Sequence, residues 1–152
     1  MRISKHISYK EAVHSNTAKR RGIENKPNED QLYNMAKVAH NIFEPLRLYV
    51  GGAIKINSFF RSEELNKAIG GSSKSQHCQG CALDIDDIYG HKSNYQMFEY
   101  IRENLDFDQL IYEFGDADNP DWVHVSYVSS KENRNRVLRA VKNNGKTSYQ
   151  VF

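Results

Sequence analysis

The sequence predicts an α+β domain: a mostly antiparallel sheet with helices packed on it, closed by a C-terminal hairpin. Three observations carry that reading. Helical periodicity is concentrated in the first part of the chain, and alternating apolar–polar segments dominate the second. The strand-like segments are short and separated by turn-rich stretches such as GDADNPD. The chain has 152 residues, enough for one core and too few for two comfortable ones, so residues 1–152 are expected to form a single domain.

Each element has its own signal. Residues 1–27 read as an irregular lead-in, with one short helix in SYKEAVHS and a solvated basic stretch around Lys19, Arg20 and Arg21. Asn28 is a helix N-cap with Gln31 as its capping-box partner and Glu29 and Asp30 in the favourable first turn. Leu32, Met35, Ala36, Ala39, Ile42, Phe43 and Leu46 then follow helical spacing. Pro45 is expected to limit that helix, and Gly51-Gly52 to end the segment. AIKINSFF alternates and reads as a strand, after which Ser62 caps a short helix through EELNKAI. GGSSKSQHCQG is a Gly/Ser-rich loop leading into the strand CALDIDDI. NYQMFEYIREN reads as a helix and QLIYEF and WVHVSYV as strands. RVLRAVK and TSYQVF form the hairpin, with Gly145 supplying its turn.

Composition excludes more than it identifies. A formal charge of +2, from 21 Lys+Arg and 19 Asp+Glu, is no nucleic-acid footprint. No apolar run is long enough to span a membrane. The polar start MRISKHISYKEAVHS lacks the apolar stretch of a secretory signal, so none is expected. Two cysteines three residues apart, Cys78 and Cys81, make no disulfide framework; Cys81 falls on the expected core face as a small buried residue.

Of six histidines, four (His6, His14, His40 and His91) stand in ordinary surroundings, and two do not. His77 sits on the Ser/Gly loop just before a strand that carries Asp84. The two are seven positions apart, so in an unbroken strand they would face opposite sides. Gly80 permits the turn that lets His77 reach back toward Asp84 across the small Ala82. His124 lies between two valines, on the strand face shared by Trp122 and Ser126. Two histidines and one aspartate make a three-ligand zinc set with a fourth position left for water, and such a site activates water and polarises a carbonyl. Asp121, in the loop that starts the strand of His124, is the expected non-ligating acid/base.

The pattern SxHxxGxAxD over Ser75–Asp84, followed by the carboxylate-x-x-His element Asp121–His124, resembles the zinc D-alanyl-D-alanine peptidases of the M15 family, which share their fold with the Hedgehog signalling domain. NSFFRSEELNKAIGGSSKSQHCQGCALDID resembles the central block of the small M15 branch of bacteria and phages, and DWVHVSY its last metal segment. The resemblance implies one catalytic zinc held by His77, Asp84 and His124, and Asp121 as the acid/base. Arg61 would bind substrate or stabilise developing negative charge, and Ser75 would hydrogen-bond near the substrate. The implied substrate is a peptidoglycan stem peptide, cut either as a D-Ala-D-Ala carboxypeptidase or as an L-Ala-D-Glu-type endopeptidase. The vancomycin-resistance dipeptidases of the family have Glu where this chain has Asp121, which argues against dipeptidase specificity. The expected product is a monomer made in a bacterial cytoplasm that acts at the cell wall, as a prophage lysis enzyme does. The alternative is a catalytically silent, zinc-bearing binding module of the same fold.

Overall fold

The computed structural model describes residues 1–152. Two short strands, β1 (Arg2–Ser4) and β2 (Ile7–Ser8), pair with each other and lead into helices α1 (Tyr9–Ala12) and α2 (Asn16–Arg21). The expected irregular lead-in is therefore ordered. Its apolar residues Ile3, Ile7, Ala12 and Ala18 are buried, and Lys19, Arg20 and Arg21 end a helix rather than occupying a loop. The next helix, α3 (Glu29–Val38), starts at the expected capping box: the Gln31 amide N–H donates to the Asn28 side chain, and the Asn28 N–H donates to the Gln31 side chain.

Pro45 does not end this helix as expected. A π-helical turn at Ala39–Phe43 carries α3 directly into α4 (Glu44–Val50), and Pro45 falls in the first turn of α4. The Glu44 N–H donates five residues back to Ala39, so the hydrogen-bond register has already shifted where proline withdraws its donor. Gly51, in the left-handed region, ends the segment.

The remaining elements build the sheet. They are β3 (Lys55–Ser58), α5 (Glu63–Ala68), a 3₁₀ turn at Gln76–Gln79, β4 (Ala82–Asp86), α6 (Asn94–Asn104), β5 (Gln109–Glu113), β6 (Trp122–Ser126), β7 (Arg136–Asn143) and β8 (Lys146–Val151). Six strands lie in the order β3-β4-β6-β5-β7-β8. Every pairing is antiparallel except β5 with β7. The class is α+β with a largely antiparallel sheet, as the sequence predicts. The hairpin turns on Asn144 and Gly145, both at positive φ, the backbone that a two-residue hairpin turn requires.

The sheet has two unlike faces. Leu83, Ile85, Leu110, Tyr112, Val123 and Val125 join α3, the π turn, α4 and α6 in one apolar core. The alternate positions, among them Asp84, Ile111, Glu113, Trp122, His124 and Leu138, point the other way and line an open cleft. No helix of the chain is long and apolar enough to cross a membrane.

Gly80 is where the fold positions the cleft. It ends the 3₁₀ turn at φ +78°, and a Cβ there would stand 2.5 Å from the Gln31 carbonyl oxygen of α3. Gly80→Ala is expected to destabilise the fold by about 1–3 kcal/mol from backbone strain, with the clash in addition. Urea denaturation measures this loss.

Candidate active site

His77 is presented by the 3₁₀ turn rather than by a strand. The Ser75 side chain caps that turn by accepting from the His77 N–H. Two amide side chains of α3 hold it from behind: Gln31 Nε2 donates to the Cys78 carbonyl and Asn34 Nδ2 to the Gln79 carbonyl. On the other side Gln76 Nε2 donates to buried Asp108, which also takes two hydrogen bonds from the Arg134 guanidinium. The ring is then oriented by its own backbone contact, Nδ1 to the Phe59 carbonyl at 2.8 Å.

Asp84 and His124 come from neighbouring strands and stand directly opposite each other in the β4–β6 register. His124 Nδ1 lies 2.9 Å from Asp84 Oδ1, and His77 Nε2 lies 3.2 Å from Asp84 Oδ2. The rings of His77 and His124 meet edge to face, with centroids 5.3 Å apart. Burial pushes the Asp84 carboxyl up, but His77 and His124 outweigh it and hold the group well below the usual carboxylate range. Burial likewise disfavours the charged form of His124, and Asp84 outweighs it, so the imidazole is raised.

The donor set fits a metal ion. A carbonyl only accepts, so His77 Nδ1 carries the proton toward Phe59, and in the neutral ring Nε2 is a bare lone pair. That nitrogen is buried and has no hydrogen-bond partner; its approach to Asp84 is close but poorly aligned for one. Two facing acceptors in a buried place call for a cation between them. One ligand atom each from His77, Asp84 and His124 lies within 4.8 Å of the others, so the set can close around a single ion. The Phe59 carbonyl already fixes the tautomer such a ligand needs.

Arg61 and Ser75 also line this cleft. Arg61 Nη2 donates to Ser75 Oγ at 3.4 Å, and its Nε is buried without a partner. The Arg61 backbone N–H donates to the His77 carbonyl, which ties the arginine to the turn that carries the ligand.

Asp121 lies where the sequence puts it, in the turn that starts β6. It is exposed and lines a surface depression that adjoins the cleft at Trp122, with Phe114, Gly115, Arg139 and Lys142. Asp121 is three residues from His124, and its N–H is bonded to the Glu113 carbonyl at the start of β6. Asn94 holds the same bend, donating to the carbonyls of Pro120 and Asp121. A second carboxylate, Glu113 of β5, lies on the cleft face beside His124 and was not singled out by the sequence. Glu113 pairs with Trp122, and Ile111 pairs with His124, so Glu113 is the diagonal neighbour of His124 on the cleft face, with Cβ atoms about 7 Å apart. It is 8% exposed and takes part in none of the ion pairs of the chain. Burial, above all, pushes its carboxyl up to about 7; His124 opposes that shift and Asp84 adds to it. The available signal was a lone acid in the apolar strand QLIYEF.

Both cysteines are free, Cys81 buried as expected and Cys78 half-buried.

A mixed sheet with helices on one face and two histidines, an aspartate and a buried glutamate on the other defines a metallohydrolase-type site. The sequence model described as Peptidase M15 matches residues 5–126. The chain belongs to the peptidase M15 family. No curated protein matches it.

His77→Ala and His124→Ala are each expected to lose most bound zinc by elemental analysis, with the far-ultraviolet circular dichroism of the folded chain retained. Full zinc retention in both variants would overturn the assignment of the site.

Proposed function

We propose that the chain is a zinc-dependent peptidase that hydrolyses peptidoglycan stem peptides, with His77, Asp84 and His124 as metal ligands and Glu113 as the acid/base. One observation supports this above the others. A buried, ion-pair-free carboxylate stands beside a convergent His-Asp-His set in an open cleft of an M15 chain.

A zinc ion held by His77, Asp84 and His124 would supply Lewis acidity to the scissile carbonyl and to water. The side chains do the rest. Glu113 accepts the proton of the attacking water and returns it to the leaving amine; its low-dielectric surroundings keep its proton affinity near that task. The Arg61 guanidinium, held by Ser75, is placed to balance negative charge on the carbonyl oxygen or on a substrate carboxylate. Ser75 serves by holding Arg61 and the His77 turn together. The cationic side chains Arg61, Lys74 and Arg136 line the same cleft and suit an anionic peptide.

The test is digestion of purified cell walls with mass spectrometry of the products, whose masses distinguish D-Ala-D-Ala from L-Ala-D-Glu cleavage. Glu113→Gln is expected to lower kcat/KM about 10²- to 10⁴-fold with zinc retained. Asp121→Ala is expected to keep nearly full activity. The opposite ranking would return the acid/base role to Asp121. Zinc-loaded wild type that releases no new amine termini from varied peptidoglycans would point to the silent binding module.

The pH profile follows from the same residue. A base acts only when deprotonated, so kcat/KM rises as pH increases through the Glu113 pKa. The positive charge of a bound dication draws that pKa down from about 7. The acid limb is therefore expected at or below about pH 7 in the wild type. It should be absent from the residual activity of Glu113→Gln.

A further inference from the structure

The residues matched by the family end at 126, and the hairpin of β7 and β8 lies beyond them. It nevertheless forms one wall of the cleft, through Arg136, Leu138, Thr147 and Tyr149. The strand registers make this wall regular. Trp122 pairs with Glu113, Glu113 with Ala140, and Ala140 with Tyr149, so one row of side chains crosses four strands on the cleft face. Two strand spacings put the Tyr149 backbone about 10 Å from that of Glu113. The residue between them is alanine, fully buried and too small to block the way. A tyrosine side chain laid over Ala140 brings its hydroxyl toward Glu113.

Two further observations give Tyr149 a task. The Tyr149 hydroxyl makes no hydrogen bond within the chain, so its hydrogen is free to be donated in the cleft. Its phenol is raised by burial and, after that, by Glu113 and Asp84, as expected if the hydroxyl end lies in the cleft while the ring edge meets water. The orientation is also locked. Phe152 packs its ring on Phe98 and Tyr112, at centroid distances of 5.0 and 5.6 Å, and its N–H donates to Val137. Phe152 is thus anchored on the helical face, and by strand alternation Val151, Tyr149 and Thr147 must face the cleft. The two-residue turn at Asn144 and Gly145 sets the register, and Phe152 holds the far end of the strand to it.

We propose that the C-terminal hairpin is a substrate-binding wall of the peptidase, and that Tyr149 donates its hydroxyl hydrogen to the bound peptide next to Glu113. This rests on the peptidase reading of the site. Thr147, one pleat along the same face, and Arg136, at the far end of the wall, extend the contact along an anionic peptide.

The test compares wild type, Tyr149→Phe and Tyr149→Ala, all zinc-loaded, on the stem pentapeptide L-Ala-D-Glu-L-Lys-D-Ala-D-Ala. Tyr149→Phe removes only the hydroxyl and is expected to lower kcat/KM about 10-fold or more, with zinc content and Tm unchanged. Wild-type kcat/KM in both variants would overturn the proposal. A second measurement needs no turnover. With Co²⁺ in place of zinc, the ring resonances of Tyr149, identified by their loss in Tyr149→Phe, are expected to show paramagnetic shifts. Unshifted resonances would place the ring outside the cleft and overturn the proposal even in an active enzyme. If wild type cleaves no peptidoglycan peptide, the proposed function fails, and the cobalt shifts still decide whether the hairpin wall faces the metal site.

Discussion

The pairing of Asp84 with His124 across β4 and β6 is the constraint on which the rest of the site depends. The two residues are directly opposite in an antiparallel register, so their side chains leave the same face of the sheet a few ångströms apart. A slip of one residue would turn Asp84 toward the helices and Leu83 toward the cleft. The apolar neighbours forbid that slip, because Leu83, Ile85, Val123 and Val125 are each fully buried on the helical face. The hydrophobic pattern that builds the core therefore also sets the ligand geometry. Packing supplies the driving force and the carboxylate follows it.

His77 is held by different means, and the contrast is instructive. Its turn belongs to no sheet, so it is fastened by discrete hydrogen bonds: Gln31 and Asn34 donate to its carbonyls, Ser75 Oγ accepts from the His77 N–H, and its own Gln76 donates to Asp108. Gln31 acts twice, closing the capping box of α3 with its oxygen and gripping the Cys78 carbonyl with its nitrogen. A helix cap is worth about 1 kcal/mol, and a buried acceptor left without a partner costs about 1–3 kcal/mol. The lone pair of His77 Nε2 facing Asp84 is thus a stability cost comparable to what its supports contribute. A cation at the centre of the three side chains would remove that cost, so metal binding there would be coupled to the stability of the cleft.

Much of the site was legible before folding. The odd spacing of His77 and Asp84, broken by Gly80, required a turn, and the turn is there at positive φ. His124 between valines had to face away from the core, and it does. Glu113 was not legible, because it is 11 residues from His124 in sequence and becomes its neighbour only through the β5–β6 register. Asp121 drew attention for the opposite reason. Three residues from His124, it is close along the chain and sits exposed in the turn held by Asn94. Proximity in sequence and proximity across a sheet are separate quantities, and the sequence shows only the first.

The sequence by itself determined the α+β class, the helix caps at Asn28 and Ser62, the hairpin turn at Gly145 and the His77, Asp84 and His124 triplet. The class, the caps and the turn depend on local backbone preference and on periodicity, which are properties of neighbouring residues; the triplet is read from its motif, and the β4–β6 register brings it together. Only the tertiary structure decided the parallel pairing of β5 with β7, the ordering of the first 27 residues and the passage of a helix through Pro45. It also decided which carboxylate enters the cleft and that the final hairpin forms its wall. Each of these is settled by contacts between segments far apart in the chain, where the burial of a shared core selects one register among several that local preference allows.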